Sequence, residues 1–108
     1  MTDFDPDRIR ARLVEVGDEW ADKDAAATLL EETKKTVLAE LMLKAEGTTA
    51  AAKEMNALAD PVYRLHITNM VTARKEANKA KIRWDSGKTW AELRRSQEST
   101  KRAEMGMR

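Results

Sequence analysis

Arg74, Lys81, Lys88 and Arg95 recur at intervals of seven residues. On a helix that interval returns each side chain to nearly the same face, so the four cations form one stripe. Lys75, Lys79, Arg83, Arg94, Lys101 and Arg102 thicken it. The chemistry such a stripe offers is anion binding. A side chain that neutralises a phosphate releases condensed counterions, which favours the complex and makes it weaken with salt. Trp84 and Trp90 stand in the same segment, and an indole can stack on an unpaired base for about 1–3 kcal/mol. Trp84 follows Ala77 by seven residues and Met70 by fourteen, which suits a core position; Trp90 is the better stacking candidate. The polar run from Arg94 to Arg102 supplies Arg, Ser, Gln and Thr donors of the kind that meet phosphate and sugar. Asp85, Glu92 and Glu98 interrupt the stripe. Glu98 lies four residues from both Arg94 and Arg102, a spacing that forms intrahelical pairs worth a few tenths of a kcal/mol. No helix-turn-helix or ribonucleoprotein aromatic pair is present, so the expected mode is backbone or single-strand binding without strong sequence preference.

Other chemistry finds little support. His66 is the only histidine and has no cysteine beside it, a poor start for a metal site. Asp22/Asp24 and Glu31/Glu32 are carboxylate pairs in sequence, but neighbours one or two apart do not face each other on a helix. The four glycines are scattered at 17, 47, 87 and 106, so no phosphate-cradling loop is present. No catalytic residues, metal site or cofactor are expected, and the chain is read as not an enzyme. Without cysteine there are no disulfides or thiol nucleophiles.

Charge is divided along the chain. Residues 1–73 hold 9 Lys/Arg against 14 Asp/Glu, and residues 74–108 hold 11 against 5. The total of +1 conceals this. One part of the chain is therefore suited to assembly and another to an anion. Charged residues make up 36% and aromatics 5%, a composition of long helices and coiled coils. The expected fold is all-α: a long helical hairpin with a short connecting helix, assembling through coiled-coil-like packing as a single domain over 1–108.

Three elements must carry these side chains. The first is an assembly helix over 5–46, opened by Asp5 as N-cap and Pro6 in the first turn. Ile9, Leu13, Val16, Trp20, Leu30, Val37 and Leu41 recur on it with 4-3 spacing and form the expected oligomer interface. Lys23 and Lys34 fall on the same grid and interrupt it, and Gly17 is expected to weaken the helix. Gly47-Thr48-Thr49 reads as a break, followed by a short helix over 48–59. Asp60-Pro61 repeats the first start signal and opens a long basic helix over 61–105, with a possible kink at Ser86-Gly87. The end, from about Ser96, is expected to fray or be ordered by a partner.

The run Ala57-Leu58-Ala59-Asp60-Pro61-Val62-Tyr63-Arg64-Leu65-His66, then Ala73 to Trp84, then Arg94-Arg95-Ser96-Gln97-Glu98-Ser99, resembles small helical proteins of tailed bacteriophages. More distantly it resembles the UvsY-type recombination mediators of phage. The resemblance covers about residues 55–105 and rests on spacing and composition. It implies an all-helical, ring-forming protein that binds single-stranded DNA and helps load a RecA-like recombinase against single-strand-binding protein. Lys75, Lys79, Lys81 and Arg83 match the basic stretch that would face DNA. The family's longer C-terminal assembly region has no counterpart here, and the heptads from Ile9 to Leu41 stand in its place.

The expected function is thus a homo-oligomeric, non-enzymatic single-stranded DNA-binding accessory of phage recombination or replication, acting in the host cytoplasm. The alternatives are a phage structural or assembly protein, or an inhibitor that binds a protein rather than free DNA. No secretory leader or membrane span is expected.

Overall fold

The computed structural model of the chain describes residues 5–106, and these are all-α. Four helices follow in order: α1 (Pro6–Glu32), α2 (Lys34–Lys44), α3 (Ala50–Leu58) and α4 (Pro61–Gly106). They form a helical hairpin in which α1 packs against α4, with the short α3 between.

The starts and stops follow from local chemistry. Asp5 Oδ1 accepts from the backbone N–H of Asp7 at 3.0 Å and of Arg8 at 3.4 Å, satisfying two donors that the first turn leaves free. Asp60 does the same for Val62 N–H at 2.8 Å. Thr49 caps α3 through Ala52 N–H at 3.1 Å. Gly47 turns the chain between α2 and α3 at φ 143°, a region that L side chains rarely adopt.

Four features differ from the sequence expectation. The first helix is interrupted at Thr33 rather than weakened at Gly17, and α2 ends at Lys44 rather than at 46. The short helix begins at Ala50, with Thr49 outside it as cap. α4 runs without a break through Ser86-Gly87 to Gly106. At Thr33 the backbone bonds to Leu29 C=O and from Val37 N–H are both made, at 3.0 Å, so the interruption is confined to one residue. The Thr33 hydroxyl donates back to Leu29 C=O at 2.8 Å and also approaches Leu30 C=O at 3.3 Å. His66 of α4 places Nε2 2.8 Å from the same Leu30 carbonyl. Thr33 is half-buried and Lys34 exposed, so the inward stripe steps back by one residue here and the lysine on the grid reaches water.

The chain divides into two compact units, to each of which α1 and α4 both contribute. The unit of residues 22–77 holds the end of α1, all of α2 and α3, and the start of α4, with Ala27, Ala57 and Ala77 buried. Asn56 Nδ2 donates to Glu46 C=O at 2.6 Å and ties α3 to the loop before it. The other unit joins the described residues up to 21 with those from 78 onward, and buries Val16, Ala80 and Ala91. Here α1 and α4 are antiparallel: Leu13 meets Gly87, Gly17 meets Trp84 and Glu19 meets Arg83. Among the described residues no side chain larger than alanine is fully buried. All the buried residues but Val16 are alanines, so little apolar area leaves water, and each buried methylene is worth only about 0.8 kcal/mol.

Candidate nucleic-acid interface

The charge division is partly consumed inside the chain. In the unit of residues 22–77, Arg74 spreads its guanidinium over three partners on α1. Nε and Nη2 grip Glu31 at 2.9 and 2.7 Å, Nη1 reaches Asp24 at 2.7 Å, and Nη2 also donates to Thr28 Oγ1 at 3.2 Å. This planar fork suits arginine and no other side chain. The hydrogen bond from Arg74 is the main reason the Glu31 carboxyl is held below its ordinary value, and Glu31 and Asp24 together push the Arg74 guanidinium further up. Both groups stand at the surface, so solvent screens the pairing.

In the other unit, Arg83 Nη2 donates to Glu19 at 2.7 Å. Lys81 places its ammonium 5.9 Å from the Trp20 ring centroid, and Lys88 lies 5.7 Å from that of Trp84. Both distances fall within cation–π reach. Trp84 is half-buried, with its six-membered ring against Gly17. Trp90 is 53% exposed.

The remaining cations of α4 lie on both sides of these. Lys75, Lys79, Arg95, Lys101 and Arg102 are exposed. Arg102 Nε makes a long contact of 3.4 Å to Glu98 C=O, and Arg94 Nη1 one of the same length to Gln97 Oε1. The register that sets Leu13 opposite Gly87 and Trp20 opposite Lys81 brings the start of α1 opposite about residue 94. The dozen or so residues of α4 beyond that point extend about 18 Å further at the rise of an α-helix. Leu93, Ser96, Gln97, Thr100, Lys101 and Glu104 line an open hollow of about 280 Å³ there.

The sequence stripe is therefore two sets of side chains. Arg74 and Arg83 pair with acidic partners on α1, and Lys81 and Lys88 lie against indoles. Arg95, Lys101 and Arg102 are exposed beside the exposed Trp90, and Lys88 belongs to both sets, since it lies over Trp84 and is itself exposed. No protein-family model matches this chain, and no curated protein or solved structure is significantly similar to it.

The residues expected to join subunits lie elsewhere than the solvent face. Val16 is buried, and Ile9, Leu13, Trp20, Leu30, Val37 and Leu41 are half-buried. Leu13 and Trp20 meet α4 of the same chain. The physical reason is that α4 carries a matching 4-3 stripe. In one unit this is Tyr63, His66, Met70, Ala73 and Ala77; in the other it is Ala80, Trp84, Gly87 and Ala91, and all are half-buried or buried. Among the described residues, no group of His, Cys, Asp or Glu could hold a metal ion, and no helix is long and apolar enough to cross a membrane.

Proposed function

We propose that this chain is a non-enzymatic accessory protein that binds single-stranded nucleic acid along the distal part of α4. The observation that carries the reading is the separation of the cations: those facing α1 are paired, and α4 continues beyond with Arg95, Lys101 and Arg102 exposed near a half-exposed Trp90. Such a surface meets a strand by backbone neutralisation and indole stacking. Following the resemblance, the ligand is DNA of phage recombination or replication in the host cytoplasm, with a RecA-like recombinase and single-strand-binding protein as partners.

Fluorescence anisotropy with a labelled single-stranded oligonucleotide tests this. Four phosphate contacts, from Lys88, Arg95, Lys101 and Arg102, give a salt slope near −3 on logarithmic axes, or about a 50-fold loss between 50 and 200 mM salt. The Lys88→Glu/Arg95→Glu/Arg102→Glu variant should lose binding with helicity intact, whereas Lys75→Glu should change it little. Trp90→Ala should weaken binding at least about fivefold if a base stacks there. Absence of binding at low salt, or a flat salt dependence, refutes the reading. Met55, Leu65, Val71 and Ile82, all more than half exposed, favour a second reading, an assembly protein whose partner is protein.

A further inference from the structure

We infer, building on the reading of distal α4 as a nucleic-acid surface, that Trp20 and Trp84 are positioning residues: their indoles hold the Lys81 and Lys88 ammoniums ready for phosphate. This adds Lys81 to the contacts and extends the surface back along α4. All four side chains belong to the unit that joins the described residues up to 21 with those from 78 onward.

The geometry separates two uses of a cation. Arg83 spends a guanidinium N–H on Glu19 at 2.7 Å. Lys81 and Lys88 are held without being spent in this way. Their ammoniums stand 5.9 Å from the Trp20 ring centroid and 5.7 Å from that of Trp84, and both lysines are exposed. A ring face attracts the charge, while an ammonium carries three donors, so N–H groups remain for a phosphate. Carboxylates stand within helical reach as alternatives. Asp85 and Glu92 follow Lys81 and Lys88 by four residues, yet among the described residues neither lysine is in an ion pair. Cation before acid is the weaker order for such a pair, and the indoles take the ammoniums instead.

The rings are themselves placed by packing. Trp20 and Trp84 are half-buried, and the six-membered ring of Trp84 lies against Gly17. A lysine drawn to a fixed ring has given up part of its rotamer freedom before a ligand arrives, which lowers the cost of ordering it in a complex. The same unbroken helix carries Arg95 and Arg102 at the next two intervals of seven, both exposed. Lys81, Lys88, Arg95 and Arg102 therefore follow one another about 10 Å apart, a track of about 32 Å along α4. The track starts at Lys81 because Arg74, one interval earlier, is engaged by Glu31 and Asp24.

Anisotropy with a labelled single-stranded oligodeoxythymidylate, read at several salt concentrations, tests this. Lys81→Gln should flatten the logarithmic salt slope by about 0.7, the loss of one phosphate contact. Trp20→Leu should weaken binding about threefold, and Trp20→Phe less, because phenylalanine keeps a ring beneath the ammonium. In a Lys81→Gln background Trp20→Leu should cost nothing more, an outcome that a purely structural role for Trp20 would not give. If Trp20→Leu loses helicity, the wild-type chain decides by NMR. The Trp20 ring current should shift the Lys81 ε-methylene protons upfield, and that shift should persist when the oligonucleotide binds. Tighter binding by Trp20→Leu, an equal loss in the Lys81→Gln background, an unchanged slope in Lys81→Gln, or an upfield shift that is absent or vanishes on binding overturns the positioning role while leaving the distal surface of α4 standing. A wild-type chain that does not bind at low salt overturns both.

Discussion

Gly17 and Gly87 both lie inside helices and both face the opposite strand of the hairpin, yet alanine should have opposite effects at the two sites. Removing a glycine from a helix interior gains up to about 1 kcal/mol in propensity. What the new methyl meets decides the sign. At Gly87 a Cβ would lie 3.2 Å from Leu13 Cδ2, the end of a flexible, half-buried side chain that can move by a few tenths of an ångström. Most of the gain survives, and Gly87→Ala should stabilise by about 0.5–1 kcal/mol. At Gly17 the Cβ would lie 3.1, 3.3 and 3.6 Å from three atoms of the Trp84 ring. A rigid indole cannot yield at one atom, and its whole plane must tilt beneath Lys88. Overpacking of this kind costs about 1–3 kcal/mol, so Gly17→Ala should be net destabilising by about 1 kcal/mol. The two variants should then differ by about 2 kcal/mol, or roughly 8 °C in thermal midpoint for a chain of this size. Circular dichroism at 222 nm reads this, at fixed protein concentration because any self-association would shift the midpoint. A Gly17→Ala midpoint at or above that of Gly87→Ala would refute the packing assigned to Trp84.

Three further outcomes follow from the same contacts. Ala80→Leu should destabilise by about 1–3 kcal/mol in the same melt, since Ala80 is fully buried and the added carbons must displace what packs on it. His66→Ala should cost about 1 kcal/mol by removing a donor from the Leu30 carbonyl, and the loss should be smaller in His66→Gln. Arg74→Lys should lower the midpoint nearly as far as Arg74→Ala, because an ammonium cannot reproduce the fork on Glu31 and Asp24. Glu31 is depressed by Arg74, so its contribution is present above the unfolded glutamate value of about 4.3 and is lost as pH falls through the lower folded value. The gap between wild type and Arg74→Ala should therefore narrow under acid and be constant near neutrality.

The helix starts were legible in the sequence because they are local. Asp5-Pro6, Thr49 and Asp60-Pro61 each act within three residues of themselves. The helical class and the inward stripe were legible too, because periodicity reports which face avoids water. What periodicity does not report is what covers that face. Leu13 and Trp20 read as contacts between subunits, and α4 of the same chain meets them instead. The contact of His66 with the Leu30 carbonyl, beside the interruption at Thr33, escaped for a related reason, since it joins residues 36 apart. Gly17 read as a weak point because its propensity is local, while its use, admitting the Trp84 ring, depends on a residue 67 positions away. Among the cations, only pairing across the hairpin separates Arg74 and Arg83 from Arg95 and Arg102.

The antiparallel register also bears on the order in which the molecule opens. His66 and Leu30 close a loop of 36 residues, Arg74 and Asp24 one of 50, and Arg83 and Glu19 one of 64. Closure entropy grows only logarithmically, so the whole series spans no more than about 0.6 kcal/mol. That small gradient still has a direction. Contacts near α3 are the cheapest to form, and those joining Leu13 to Gly87 are the last to close and the first to part. Amide hydrogens should accordingly exchange most slowly around Leu30 and Met70 and progressively faster toward the far ends of α1 and α4. Arg95, Lys101 and Arg102, proposed to meet a strand, lie past the last of these contacts, so a ligand there can be received whether or not the far ends of α1 and α4 have closed.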